Sequence, residues 1–499
     1  MSLAQAPIRP NGSLPALGDT SELAASAERR LGDRIASSIY RDPDYPDDPV
    51  LGDYLQSIWQ PLMAAARSRG ELGAELEERF AWDVMLIRNR TINAFALPGG
   101  YLGVHLGLIT VVESRDELAS VLAHELSHVT QRHISRLMSK QSQQMPWVVA
   151  AMILGMMAAS KNPDAATAAI AGGQAIAVQN QLNFSRDMER EADRVGFGVM
   201  ADAGFEKQGF ATMFDKLQQA SRLNDNGSYP YLRSHPLTTE RIGDAKGRLQ
   251  LEGPSLAPAS DETGRARVLH AMMAGRARVL SDTGVDAMRS QLGDALRVPA
   301  VAEGALKPRE AGLLYGGALA AAQLREYGQA RAIAARLKTA VAGAPAMNDI
   351  VDLLSLEIEI VAGRTSDMPR LGSTTSRAAV LLQSRADLAS GRPADATSRL
   401  QTWVSTHPRD AIAWQFLATA YGQQGQALRA IRADAESRVA QLDYGAARDR
   451  FKAAQDLMRS GRDTGSGPSA HIDGSIIDTR AREIDQLLRE QALQEKLDR

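Results

Sequence analysis

The sequence predicts a mostly helical α+β domain with a small sheet, followed by an all-α domain of helical repeats. Three observations predict it. Helical hydrophobic spacing dominates the chain, two short alternating stretches interrupt it early, and alanine-rich text with glycine turns fills the second half. The 499 residues leave room for several domains. Hydrophobic residues make up 44% and charged residues 23%, as in folded chains, and the aromatic share of 5% favours helices packed through small residues over a β-sandwich. Lys and Arg number 57 against 59 Asp and Glu, a formal charge of −2 that gives no bulk attraction to nucleic acid. Cysteine is absent, which excludes disulfides, thiolate metal sites and cysteine nucleophiles. Any metal must therefore be held by His and carboxylate.

Residues 1–49 read as an N-terminal extension with at most one helix, around Ser21 to Tyr40, ending in the acidic run Arg41-Asp-Pro-Asp-Tyr-Pro-Asp-Asp-Pro49. Leu3-Ala4-Gln5-Ala6 resembles the small-residue end of a secretory signal, so the expectation is a chain whose signal has been removed, although the absence of cysteine suits a periplasm as well as a cytosol. A first domain is expected over 50–255. Leu51, Tyr54, Leu55, Ile58, Trp59 and Leu62 recur at helical spacing. Phe80 to Leu86 and Ile92 to Leu97 alternate as two strands, and Pro98-Gly99-Gly100 makes a turn. Ser114 and Glu117 fit a capping box opening a helix that should reach about Met138. Trp147 to Ala159 and Ala165 to Val178 predict an apolar helical hairpin, shorter than the ~18 apolar residues of a membrane span. It reads equally as a buried hairpin or as a lid or membrane-surface contact. A helix follows from about Asp187 to Ala203. Over 263–465 turns are expected near Gly328, Gly363, Gly391 and Gly425, and Trp414-x-x-Leu417-Ala418-x-x-Tyr421 matches the first-helix pattern of a tetratricopeptide repeat. Residues 466–499 read as a linker, Gly/Ser-rich from Gly461 to Ser475, and a charged helix over Ile477 to Leu497.

The chemistry is concentrated in His124-Glu125-Leu126-Ser127-His128. On a helix, residues four apart share a face, so both imidazoles can grip one ion, while Glu125 is placed to take a proton from water there. Val121, Leu122 and Val129 set this helix in a core. A third ligand must come from elsewhere. His133 would lie ~140° around the helix from His128, and is read as a surface or core histidine. Glu189 is the better candidate: it shares a helix face with Asp193, so one carboxylate can bind metal while the other orients a ligand histidine.

Asn93-Ala-Phe-Ala-Leu-Pro-Gly-Gly100, the His124 to His128 motif, and Ser185-Arg-Asp-Met-Glu189-x-x-x-Asp193-Arg-x-Gly196 occur in that order. In this the chain resembles the HtpX-like and CAAX-prenyl-endopeptidase family of gluzincin metalloproteases, over about residues 50 to 250. The resemblance implies a zincin-type fold for the first domain and one Zn2+ per chain on His124, His128 and Glu189. It also implies Glu125 as the catalytic glutamate and Asp193 as the carboxylate orienting a ligand. It further implies that His235, in Ser234-His235-Pro236, fills a fourth metal position in a closed resting state, with Arg241 close by. Members with tetratricopeptide repeats imply an endopeptidase acting on polypeptides, degrading misassembled outer-membrane proteins and helping their assembly machinery through the repeats. The alternative is a self-inhibited protease serving mainly as a repeat-domain scaffold. A cytosolic prenyl-protein endopeptidase fits less well, for want of spanning helices.

Overall fold

The computed structural model describes residues 24–140, 185–223, 230–252, 260–300, 306–364, 368–369, 371–372, 375–460 and 468–497. The apolar hairpin between Trp147 and Val178, and the signal-like start, lie outside the described residues. The chain opens with helices α1 (Ala25–Tyr40), α2 (Pro49–Ser68) and α3 (Ala74–Arg79). Strands β1 (Asp83–Ile87), β2 (Ala94–Leu97) and β3 (Tyr101–His105) form one sheet in the order β1-β3-β2. β1 runs parallel to β3, and β2 pairs antiparallel with it, Ala94 opposite Val104 and Leu97 opposite Tyr101. The sequence predicts only two strands. β3 was hidden because all five of its residues are buried, so it shows no alternation.

Helices α4 (Leu106–Val111), α5 (Arg115–Thr130) and α6 (His133–Lys140) follow. Ser114 caps α5, its hydroxyl accepting from the Glu117 N–H at 3.2 Å, while the Glu117 carboxylate turns back to the Glu113 N–H at 2.7 Å. The expected single helix to Met138 is in fact two. It breaks at Arg132, which takes a left-handed φ of 54°. Then come α7 (Arg186–Asp202), α8 (Gln208–Leu223), α9 (Tyr231–Ser234) and α10 (Thr239–Glu252). Gly196 lets α7 press onto α5, since a Cβ there would sit 3.0 Å from the Ala123 carbonyl oxygen and 3.1 Å from the His124 nitrogen.

The second half is helix upon helix: α11 (Ser260–Ser281), α12 (Val285–Arg297), α13 (Pro308–Gln323), α14 (Tyr327–Ala340), α15 (Pro345–Ala362), α16 (Arg377–Ala389), α17 (Pro393–Thr406), α18 (Ala411–Gln423), α19 (Ala427–Ala440), α20 (Tyr444–Ser460) and α21 (Pro468–Leu497). Each packs on the next. Gly363, Gly391 and Gly425 do turn the chain, with φ of 69°, 68° and 70°. Near Gly328 the left-handed residue is instead Arg325. The final helix starts at Pro468, so part of the expected linker is helical.

One hydrophobic core joins the two halves. It runs from Leu55 and Trp59 of α2, through Leu122 of α5, to Met272, Leu314, Leu354 and Leu382 of the helical array. The acidic run before α2, at the end of the N-terminal extension, acts as a clamp. Asp48 caps α2 by accepting from the Leu51 N–H and also receives the buried Arg276 of α11 at 2.8 and 2.6 Å. Its neighbour Asp47 receives Arg377 of α16 at 2.7 and 2.9 Å, and that arginine also donates to Asp410. α1 closes the other side of the sheet, Leu31, Ile35 and Ile39 packing with Met85, Ile87 and Leu97.

Candidate metal centre

α5 presents His124, Glu125 and His128, α7 presents Glu189 and Asp193, and the turn between α9 and α10 presents His235, with Arg241 in the first turn of α10. All seven residues named from the sequence thus meet in one place. Donor atoms of His124, His128, Glu189 and His235 lie within 4.8 Å of one another, and the four side chains are buried. The Nε2 atoms of His124 and His128 are 3.0 Å apart. Glu189 Oε2 is 3.5 Å from His124 Nε2, and Oε1 is 3.6 Å from His128 Nε2. His235 Nδ1 is 3.0 Å from Glu189 Oε1 and 3.3 Å from His124 Nε2.

These spacings test whether an ion fits. Tetrahedral donors at bonds of ~2.0–2.2 Å stand ~3.3–3.6 Å apart, close to the distances found. Imidazole and carboxylate donors without thiolate suit a divalent transition metal. The residues present fit the group.

The surroundings orient the donors. Asp193 Oδ1 lies 2.9 Å from His124 Nδ1. Arg241 grips Asp193 in bidentate fashion at 2.6 and 2.8 Å, donates to the Pro236 carbonyl at 2.9 Å, and pairs with Glu189 Oε2 at 2.8 Å. Burial alone would raise the Asp193 carboxyl, but Arg241 and His124 outweigh it and hold it below its ordinary range. Burial opposes charge on His124 too, yet hydrogen bonds to Asp193 and Glu189 lift that imidazole to about 10. Glu125 is wholly buried, and neither oxygen has an aligned hydrogen-bond partner. Burial pushes its carboxyl up, against the pull of His235, whose Nε2 lies 3.4 Å from Oε1, and of His124. β2 packs on α5, and the Ala96 backbone N–H steadies the Glu125 carboxylate more loosely. An apolar cleft lined by Val121, Phe210, Met213, Phe214 and Leu237 opens beside His124 and His235.

Two neighbours of the site were not placed there by the sequence. His133, read as a surface or core histidine, is fully buried and places Nδ1 2.9 Å from His128 Nδ1. The helix break that brings it there falls on an arginine, a residue that does not announce a left-handed turn. Tyr231 stacks on His235, ring centroids 4.6 Å apart, and nothing in the sequence marks it.

Residues 53–249 match the family model described as Peptidase family M48. The chain is 28% identical over 417 residues to the beta-barrel assembly-enhancing protease of Escherichia coli K12, covering 82% of this chain and 80% of that one. It is 29% identical over 441 residues to the protein of the same name from Yersinia pestis, covering 85% and 83%. Over 220 residues it is 28% identical to the mitochondrial metalloendopeptidase OMA1 of Arabidopsis thaliana, covering 44% and 40%. The matched segment holds every residue of the cluster, and the chain is a metallopeptidase that is similar to Peptidase family M48 over those residues.

Proposed function

We propose that this chain is a zinc endopeptidase of the periplasm that degrades misassembled outer-membrane β-barrel proteins and assists their assembly through its helical array. The observation that carries the reading is the convergence of His124, His128 and Glu189 donors beside a buried Glu125 whose oxygens have no aligned hydrogen-bond partner. The names of the relatives, which refer to β-barrel assembly, supply the substrate class. Among the described residues no helix is long and apolar enough to cross a membrane. In this reading His124, His128 and Glu189 hold the metal, and zinc is the ion we assign to their donor set. When bound, it polarises the scissile carbonyl and acidifies water. Glu125 takes the proton from the attacking water and delivers it to the leaving amine, a task suited to a carboxyl whose burial raises its basicity. Asp193 fixes the His124 ring, and Arg241 fixes Asp193. β2 forms one edge of the described sheet and is the place for an extended substrate to add as a strand. The helices from α11 onward, with Trp414 to Tyr421 on α18, are read as tetratricopeptide-like repeats that recruit the assembly machinery.

The test is metal analysis coupled to digestion of an unfolded outer-membrane barrel. About one zinc per chain, lost on His124→Ala, His128→Ala or Glu189→Ala, is expected. Full retention in all three variants overturns the assignment.

His235 favours a second reading of the same site, a self-inhibited protease acting mainly as a scaffold. Its Nδ1 stands among the donors, and a fourth protein ligand leaves no place for the attacking water. His235→Ala then raises basal cleavage, whereas a fall marks His235 as a catalytic helper. Barrel assembly supported equally by the Glu125→Gln protein places the main role in the array.

A further inference from the structure

His128 has its own train of partners, which the peptidase reading does not use. His128 Nδ1 lies 2.9 Å from His133 Nδ1. His133 Nε2 lies 3.0 Å from Glu191 Oε2, which also accepts from Arg136 Nη1 at 2.8 Å. The train ties α5 to α6 and to α7, two residues beyond Glu189. It exists because α5 stops at Thr130 and Arg132 turns left-handed, which carries His133 back beneath His128. The Arg132 guanidinium is itself held by the buried Glu28 at 3.1 Å and by Ser135 at 3.3 Å.

The direction of these hydrogen bonds follows from what each group can donate. A carboxylate only accepts, so His133 Nε2 carries the proton toward Glu191. A neutral imidazole has one N–H, so His133 Nδ1 accepts, and the proton between the two rings belongs to His128 Nδ1. His128 Nε2 is then left with its lone pair, on the side where it faces His124 and Glu189.

We propose that His133 is a positioning residue for His128: backed by Glu191, it selects the Nδ1–H tautomer and fixes the ring so that Nε2 is the metal-donating atom. This rests on the reading of His128 as a ligand. The two ligand histidines of α5 are thus held differently, His124 by the carboxylate of Asp193 and His128 by a neutral ring with its carboxylate one step further out.

The test uses the full chain, stripped of metal and titrated with Zn2+ against a chromogenic chelator, with the visible spectrum of the Co2+ form as a second readout. His133→Phe keeps a ring but removes the acceptor, and should weaken Zn2+ by about 10–100-fold and shift the Co2+ bands. His133→Asn places an amide oxygen near the Nδ1 position and should restore affinity to within a few-fold of the parent. Should His133→Phe fail to fold, Glu191→Leu leaves the histidine in place without its acceptor, and should weaken Zn2+ several-fold. Parent-like affinity and spectrum in His133→Phe, or in Glu191→Leu where the former does not fold, overturn the proposal. So does equal weakening by Phe and Asn. A parent chain that takes up no metal, or a His128→Ala chain that binds as tightly as the parent, overturns the metal-centre reading itself.

Discussion

Glu125 is a buried carboxylate without an aligned partner, an arrangement that a purely structural residue would not keep. Replacing it with Gln removes the proton acceptor and the buried charge together. Cleavage should fall by about 10²–10⁴-fold while metal content is unchanged, and thermal unfolding of the variant should move upward. A lower melting temperature, or cleavage within a few-fold of the parent, contradicts this. The groups around Glu125 were legible to different degrees. His124 and His128 declare themselves by spacing on one helix, and Glu189 and Asp193 by theirs on another. His235 and Arg241 lie in loop and helix text with no such periodicity, and only family resemblance pointed to them. His133 was set aside because a continuous helix would turn it away from His128, and the continuous helix is what fails at Arg132.

The helix pair α5 and α7 sets the distance between the histidines and Glu189, and Gly196 sets the distance between the helices. Gly196→Val should push α7 off the Ala123 carbonyl, costing about 1–3 kcal/mol of stability and weakening Zn2+ binding, read by urea unfolding and chelator competition. In the array, Asp410 caps α18 through the Ala413 N–H at 3.2 Å and accepts from Trp403 Nε1 at 2.8 Å and from Arg377. Burial opposes its charge, but Arg377 and Trp403 outweigh burial and depress its carboxyl. A depressed carboxylate contributes fully above its unfolded value of about 3.9, and the contribution is lost as pH falls through the lower folded value. Asp410→Asn, which can still cap the helix, should therefore cost about 1–3 kcal/mol at neutral pH and flatten the loss of stability below pH about 4, measured by urea unfolding at several pH values. The array was legible as helical text from its alanine-rich composition and its glycine turns, with one helix marked by the Trp414 to Tyr421 pattern. β3 and the α5–α6 break were not, because full burial erases alternation and a left-handed arginine carries no signature.

Composition suggests separable halves, a peptidase and a helical array, but the packing couples them. Tyr54 hydrogen-bonds His270 of α11, which in turn meets the Val112 carbonyl, and α4 packs against α11. Ending the chain at residue 264 would expose this shared core. The shortened protein should bind a hydrophobic dye and lose Zn2+ stoichiometry, whereas native metal content would show that the peptidase part stands alone. Arg276→Ala, which strands Asp48 and Glu357 in the interior, should cost about 3–5 kcal/mol in urea unfolding. That clamp between Asp47, Asp48 and two different helices also has a mechanical meaning. The array cannot swivel on the peptidase without parting both arginines from adjacent carboxylates, so the two halves keep a constant bearing. Under the proposed function, a polypeptide moored at one point of the array would meet Glu125 after a set contour length, and the scaffold would serve as a ruler: where such a chain is cut would depend on where it is held.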